Sequence, residues 1–376
     1  MSKKKILIFI DWFIPAFKAG GPISSVRNFC NALQEEYEIY VVTSDTDLGD
    51  SAPLKGITPK QWTEIENIKV MYLPYASQTK EQYIEIYKNI KPDIVHLNSL
   101  FSKFFTLSPL AILKKARTKI IVSPRGMLGP ESLKIKPLKK RVFFVMTKVT
   151  GLFKNVTWHA SSEIEAKEVI QAFGKKADVR IAPNFSYLPK ENENYLPKLA
   201  GELQLICVGR IAPIKNIDFL IQVLAQVSGK VHCKIIGPAE DEEYLSICEN
   251  LVGKLPSNIT VDFIKGVNHF ELDGLHKESH AFISPSKNEN YGHSIVEALG
   301  HGCPIVISDK TPWKKLTAKN VGFDLPLDEN VFVDAINKLC AMDAQEVLEM
   351  RIEARKEAVT IFNSDQIKKQ YTQLFQ

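Results

Sequence analysis

The feature that most constrains this chain is an alternation that runs along most of its length and restarts in the middle. Strand-length apolar runs come first: KILIFI, EIYVVTS, NIKVMYLP, DIVHLNS and KIIVSP. Helical patterns lie between them. SSVRNFCNAL puts Val26, Phe29, Cys30 and Leu33 on one face, and KEQYIEIYKNI and LSPLAILKKAR follow. Continuously apolar strands separated by helices imply a parallel sheet covered on both faces. The pattern begins again with the strands ELQLICVGR, VHCKIIG, ITVDFIKG, HAFISPS and PIVISD. NIDFLIQVLAQV, EYLSICENLVGKL, ELDGLHKES and SIVEALGHG are the helices of this half. At 376 residues the chain is long enough for two cores. The expectation is two doubly wound, Rossmann-like α/β domains, 1–183 and 184–359. They join near RIAPNFSYLPKENENYLP, and a terminal helix over about 360–376 is assigned to the first.

A hydrophobic fraction of 45% and a charged fraction of 24% suit a soluble globular protein. No apolar run reaches the roughly 18 residues of a spanning helix. The start, MSKKKILIFIDW, has the basic flank of a signal peptide, but Asp11 interrupts the apolar run too soon. It reads as a first buried strand. Cysteines 30, 207, 233, 248, 303 and 340 form no C-x-x-C pair, which fits a reducing cytoplasm without structural zinc.

Open α/β sheets bind ligands beyond the carboxyl ends of their strands. After the first strand come Gly20 and Gly21, which bare a helix N-terminus; a plain loop fits them as well. After LQLICV come Gly209, Arg210 and Lys215, just before a helix. Two cations beside a helix N-terminus suit a diphosphate, and two solvated surface charges are the plainer alternative. After HAFISPS comes ENYGHSIVE, with Glu289 in the loop and Glu297 in the helix. Ser294-Ile295-Val296-Glu297 matches a capping box, in which Glu297 serves only its own helix. The same turn could instead face a phosphate, with Glu297 one turn in beside a ribose. The residues alone leave both readings. Asp45-Thr46-Asp47 matches the pattern of metal-dependent transferases but reads as a polar turn. His276 and His280 lack the glutamate of H-E-x-x-H, so no metal is expected.

Taken together, G-R-x4-K (Gly209, Arg210, Lys215) and E-x7-E (Glu289, Glu297) resemble the retaining family 4 glycosyltransferases of GT-B fold. The stretches ALGHGCPIVISD, GGPISS and IAPNF, with Asn184, are similar to theirs too. The resemblance implies two Rossmann-like domains facing a central cleft. It implies a nucleotide-diphosphate sugar, UDP-linked or GDP-linked, on the C-terminal domain and an acceptor on the N-terminal one. Arg210 and Lys215 would neutralise the diphosphate, and Glu297 would bind the ribose. Glu289 and the amides around Tyr291, Gly292, His293 and Ser294 would hold the sugar and distal phosphate. Gly20 and Gly21 would close over the phosphates. Transfer would proceed with retention and without a metal or other cofactor. Many members carry a histidine after the strand corresponding to KIIVS. Here SPRGML puts Arg125 there, as in a subset of bacterial polysaccharide-assembly enzymes. His96, at the end of the preceding strand, is a second candidate for the reacting centre; a satisfied structural histidine fits it as well.

The formal charge of +5 hides an asymmetry. Residues 103–154 carry thirteen Lys/Arg and one acid, Glu131, for +12; the remainder carries −7. In LKIKPLKKRVFFVMTKVTGLFK, the cations Lys136, Lys139, Lys140 and Arg141 precede an apolar run, as in a helix lying on an anionic membrane. A core helix with a solvated basic face is the alternative. No nucleic-acid motif accompanies the charge. The expected partners are a nucleotide sugar, a lipid-diphosphate-linked saccharide and the inner face of the cell membrane, reached from the cytoplasm. A GT-B nucleotide-sugar epimerase and a non-catalytic nucleotide-sugar-binding subunit are the alternatives.

Overall fold

Ile6, Leu7, Ile8 and Phe9 are successive and fully buried, which a strand achieves only when both faces of its sheet are covered. In this computed structural model they lie in β1 (Lys4–Ile10). The structure describes residues 3–376 apart from 115, 187, 190–194, 266, 268 and 363, so the expected join lies partly outside the described residues. The chain divides into two compact units, residues 1–185 with 364–376, and residues 186–363.

The first unit has an eight-stranded sheet: β1, β2 (Tyr37–Ser44), β3 (Trp62–Ile65), β4 (Ile68–Leu73), β5 (Ile94–Asn98), β6 (Lys119–Ser123), β7 (Thr157–Ala160) and β8 (Asp178–Ile181). Its order is β3-β4-β2-β1-β5-β6-β7-β8, parallel except for the β3–β4 pair. The helices are α1 (Gly21–Leu33), α2 (Lys80–Ile90), α3 (Ser108–Leu113), α4 (Pro130–Lys134), α5 (Pro137–Thr150) and α6 (Glu163–Phe173). Strand alternation sends Ile6, Ile8 and Ile10 to the α1 face, where Val26, Phe29, Cys30 and Leu33 meet them. Leu7 and Phe9 go to the other face, against Tyr83 and Ile86 of α2 and Leu110 of α3.

The second unit has a six-stranded sheet of β9 (Glu202–Val208), β10 (Lys230–Ile236), β11 (Ile259–Ile264), β12 (Ala281–Ser284), β13 (Ile305–Ser308) and β14 (Gly322–Leu325). All its pairs are parallel, in the order β11-β10-β9-β12-β13-β14. Its helices are α7 (Ile217–Leu224), α8 (Glu242–Val252), α9 (His269–Lys277), α10 (His293–Gly300), α11 (Glu329–Ala341) and α12 (Ala344–Ile361). Helices α7, α8 and α11 cover one face, α10 and α12 the other. All six cysteines are buried free thiols.

Chain order reverses direction across each sheet at one place. In the first unit this is between β1 and β5, in the second between β9 and β12. At such points the flanking loops diverge and leave a crevice for a ligand. Arg210 and Lys215 follow β9, and Glu289 follows β12, so the second switch point collects residues singled out above.

Helix α13 (Ser364–Phe375) returns to the first unit. Tyr371 stacks on Phe185 at 4.9 Å and meets Phe29 edge-on at 5.2 Å, so it closes the α1 face of the core. Replacing a buried aromatic with alanine costs about 3–5 kcal/mol. Tyr371→Ala should therefore unlock β1 and β5 in hydrogen exchange while β9–β14 keep their protection. Equal loss in both units would contradict this assignment of α13.

Candidate functional site

Helix α10 begins without a side-chain cap. Its N-cap is Gly292, in the left-handed region at φ 75°, not Ser294. The capping-box reading is thereby corrected: Ser294 already lies inside the helix, and Glu297 reaches back to no N-cap amide. A Cβ on Gly292 would come within 2.7 Å of Ile295 Cδ1 and 3.1 Å of Glu289 Cγ, so the turn demands glycine on two counts. The Gly292 and Ser294 amides have no acceptor among the described residues. Together with the helix dipole they form an anion-attracting end.

The loop leading to this end is pinned from four sides. The Lys287 amide donates to Ile214 O at 2.9 Å, and the Glu289 amide to Lys310 O at 3.0 Å. Trp313 Nε1 donates to Tyr291 O at 2.5 Å, and Tyr291 Oη lies 3.0 Å from Ser186 Oγ. The first of these ties the loop to the segment after β9. There the Lys215 ammonium forms an ion pair with the Glu289 carboxylate. Gly209 makes room for the lysine, since a Cβ there would sit 3.3 Å from Lys215 Cε. Arg210 is held 2.7 Å from Glu240 in a half-exposed pair, which an anion with more charge can displace. Sequence reasoning missed Glu240 and Trp313.

Glu297 lies one turn into α10, partly open to solvent, with no hydrogen-bond partner among the described residues. Burial, and then the nearby charge of Asp273, push its carboxyl up to about 7. Asp273 is itself 3.0 Å from His301 Nε2, and His301 stacks on His276 at 4.8 Å. An acid with few partners can accept from a pair of neighbouring hydroxyls. His293 packs beside Tyr291 at 4.9 Å.

In the first unit, Gly20 is the N-cap of α1, at φ 65°, and Gly21 is the first helical residue; again no side chain caps the end. Asp47 accepts the Phe17 amide at 2.9 Å and the Lys18 amide at 3.3 Å, so the D-x-D segment tethers the loop before Gly20. Arg125, in the left-handed region at φ 53°, follows β6. Its Nε and Nη2 donate to Asn98 Oδ1 at 3.1 and 2.6 Å, and its Nη1 to Asn184 Oδ1 at 2.6 Å and Ser25 Oγ at 2.8 Å. Asn184 is thus part of a bracket within the first unit. Asn98 Nδ2 is buried without a partner among the described residues. Its place as the last residue of a switch-point strand was the available signal for Asn98, and sequence reasoning passed over it.

His96 is a correction. It is 1% exposed, inside β5, edge-on to Phe29, where no substrate reaches it. Burial holds it neutral, well below the usual histidine range. His159 Nε2 lies 2.8 Å from Ala182 O and must donate, so its Nδ1 accepts from Ser123 Oγ, which in turn accepts from His96 Nε2, each at 2.7 Å. This chain braces the loops that carry Arg125 and Asn184. His276 and His280 are also buried, and burial brings His280 down to about 4.

On α5, Phe143 and Phe144 face the core, while Leu138, Val142, Val145, Met146 and Val149 are exposed, Val149 by 82%. Lys136, Lys139 and Arg141 are exposed beside them. Lys140 departs from expectation: it folds back onto Ser132 O and lies 5.2 Å from the Phe101 ring centre, which withdraws it from the basic face. No helix among the described residues is long and apolar enough to cross a membrane.

Residues 190–358 match the family described as glycosyl transferases group 1. An uncharacterized glycosyltransferase of Haemophilus influenzae is 31% identical over 140 residues, 36% of this chain and 37% of that one. An uncharacterized 41.2 kDa protein in the cps region of Klebsiella pneumoniae is 25% identical over 240 residues, 60% of this chain and 63% of that one. The chain thus spans less than two thirds of the length of either relative. The O-antigen chain mannosyltransferase RfbU of Salmonella typhimurium is 26% identical over 150 residues, 40% of this chain and 39% of that one. Among solved structures, sucrose-phosphate synthase from Thermosynechococcus elongatus superposes with a TM-score of 0.75 at 18% identity, covering 100% of this chain and 98% of that one. Anabaena Alr3699/HepE, in complex with UDP and glucose, gives 0.72 at 17% identity, with 98% of each chain covered. The fold is GT-B, with two α/β domains, and the match to glycosyl transferases group 1 lies within the second unit.

The Glu297 carboxyl gives a signed pH effect. Its folded value, about 7, lies above the ordinary 4.5, so the folded chain binds this proton more tightly. Stability from this group is full below about pH 4.5 and is lost as pH rises through 7. Glu297→Gln should therefore gain stability over the parent between pH 5 and pH 8, on the order of 1–3 kcal/mol, in urea unfolding without ligand. A variant less stable than the parent at pH 8 would restore a structural role for the charge.

Proposed function

We propose that this chain is a retaining, metal-independent glycosyltransferase. It moves a sugar from a UDP-sugar to a saccharide carried on a lipid diphosphate, in cell-surface polysaccharide synthesis at the inner face of the membrane. One observation carries the reading. At the switch point of the second sheet, the ion-paired Lys215 and Glu289 stand beside an uncapped helix N-terminus, with Arg210 in the loop that supplies Lys215. Such a set binds a diphosphate, and HepE, which shares the fold, is described in complex with UDP and glucose. The link to polysaccharide rests on the RfbU and cps-region relatives.

Departure of a nucleoside diphosphate builds negative charge on the leaving oxygen. Arg210, Lys215 and the α10 amides stabilise that charge in place before the reaction begins. Fixed cations in this number make a metal unnecessary. Glu289 aims Lys215 through their ion pair, and it serves the sugar hydroxyls once the diphosphate takes the ammonium. Tyr291 and His293 shape the same turn, and Glu297 accepts the ribose hydroxyls. Those hydroxyls favour the ionised carboxylate, so nucleotide binding below pH 7 releases a proton. Gly20 and Gly21 leave a second uncapped helix end that suits an anion, and Asn184 brackets Arg125. Arg125 cannot act as a base; it positions the sugar or phosphate, and the leaving phosphate takes the acceptor proton on the same face. The exposed stripe of α5, with Lys136, Lys139 and Arg141, rests on anionic lipid.

The test is a transfer assay with radiolabelled UDP-sugars, EDTA and lipid extracted from bacterial membranes. Label should enter the lipid phase only when that lipid is present, and the new linkage should keep the donor's anomeric configuration. Lys215→Ala should lower the rate by about 100-fold. Isomerisation of the free UDP-sugar without lipid would instead identify an epimerase. Nucleotide binding without turnover would identify a binding subunit.

A further inference from the structure

A groove of about 550 Å³ lies between α5 and α3, lined by Leu107 and Ala111 on one side and by Val142, Phe143 and Met146 of α5 on the other. Thr147, Thr150 and Leu152 also line it, together with two lysines, Lys114 and Lys139. Lys114 Nζ reaches toward Thr150 O at 3.5 Å, at the C-terminal end of α5, so the two cations mark opposite ends of the groove. The N-terminal end is the more open to an anion. Lys136 and Lys139 are exposed there with no acidic partner among the described residues, and Lys136 is the N-cap of a helix that no side chain caps. The only acid between 103 and 154, Glu131, is already paired with Lys134. The loop from Arg125 leads through α4 to this same end.

We propose that the groove holds the first isoprene units of a prenyl-diphosphate carrier, with the diphosphate at Lys136 and Lys139. This rests on the lipid-linked acceptor proposed above and gives that acceptor a seat. The volume is that of a site for one small molecule, hence for one chain and not two. A diacyl phospholipid brings two chains and a weaker head charge. A prenyl diphosphate brings one chain and a head with at least two negative charges, which matches one apolar groove ending at two free cations. The neighbouring outer stripe, Val145 and Val149, stays available to the bilayer.

The probe is farnesyl diphosphate, titrated calorimetrically into the full chain, against inorganic diphosphate. Farnesyl diphosphate should bind at least about tenfold more tightly. Ala111→Trp, which fills the groove from an exposed position, should erase that advantage and leave inorganic diphosphate unchanged. Lys139→Ala should weaken farnesyl diphosphate binding. Val149→Glu should reduce sedimentation with phosphatidylglycerol vesicles yet leave farnesyl diphosphate binding intact, which separates a chain-binding groove from a general lipid-facing surface. Equal affinity for the two diphosphates, or an Ala111→Trp chain that binds farnesyl diphosphate like the parent, would overturn the proposal. UDP-induced stabilisation of each variant reports folding and the second unit separately, so failure of the nucleotide reading is told apart from failure of the groove.

Discussion

One backbone conformation governs the second unit's site: the left-handed turn at Gly292 that starts helix α10 without a cap. Two neighbours, Ile295 and Glu289, occupy the space where a Cβ would stand. With no serine or aspartate accepting its first amides, the helix end stays open to an outside anion. The same turn sends the preceding loop back toward β9, where Glu289 meets Lys215. Gly209 leaves the lysine its path, and Trp313 holds the loop from below through Tyr291 O. The pair is partly buried, so its charges are screened less than those of a surface bridge. An open helix end next to a lysine already paired with a carboxylate is an arrangement prepared for a larger anion.

The first unit solves a different problem, that of holding a guanidinium inside a polar bracket. Arg125 has three side-chain neighbours, Ser25, Asn98 and Asn184, drawn from α1, β5 and the segment after β8. Glu165 is buried nearby and accepts the Gly126, Ser161 N–H and Ser161 Oγ donors. It thereby fixes the turn that carries Arg125. Below these groups, the His96–Ser123–His159–Ala182 chain links buried polar atoms in sequence, with His96 Nδ1 left unpaired among the described residues. Breaking such a buried network is costly, which suits the support of a fixed cation.

Long, apolar elements were legible in the sequence. β1, β2, β5, β6, β9, β10 and β12 were read near their observed bounds, as was the terminal helix, because burial on two faces leaves continuous apolar runs. β3, β7, β8 and β14 were not. They are four residues each, and the edge strands β3 and β8 hold no buried residue, so neither leaves an apolar run. Helices α6, α11 and α12 were also passed over, since little in their stretches marks a strand-flanked unit. The capping-box reading failed because sequence spacing cannot show which residue turns left-handed. His96 stayed open between a functional and a structural reading for a related reason. A histidine in a strand looks functional until its burial and the serine that serves it are seen. Lys140 counted toward a basic face from which its own fold withdraws it.

Both units place their conformationally special residues after strands at the two switch points, and both leave a helix end uncapped there. The central claim is that the second of these ends binds a nucleoside diphosphate. Thermal unfolding with UDP, GDP and ADP tests it most directly, on the parent and on Lys215→Ala. At about 100 times its Kd a bound nucleotide stabilises a fold by roughly 2.7 kcal/mol. The account predicts that UDP raises the parent's melting temperature and that Lys215→Ala blunts the rise. A parent indifferent to all three nucleotides, or a variant that responds as the parent does, would contradict it.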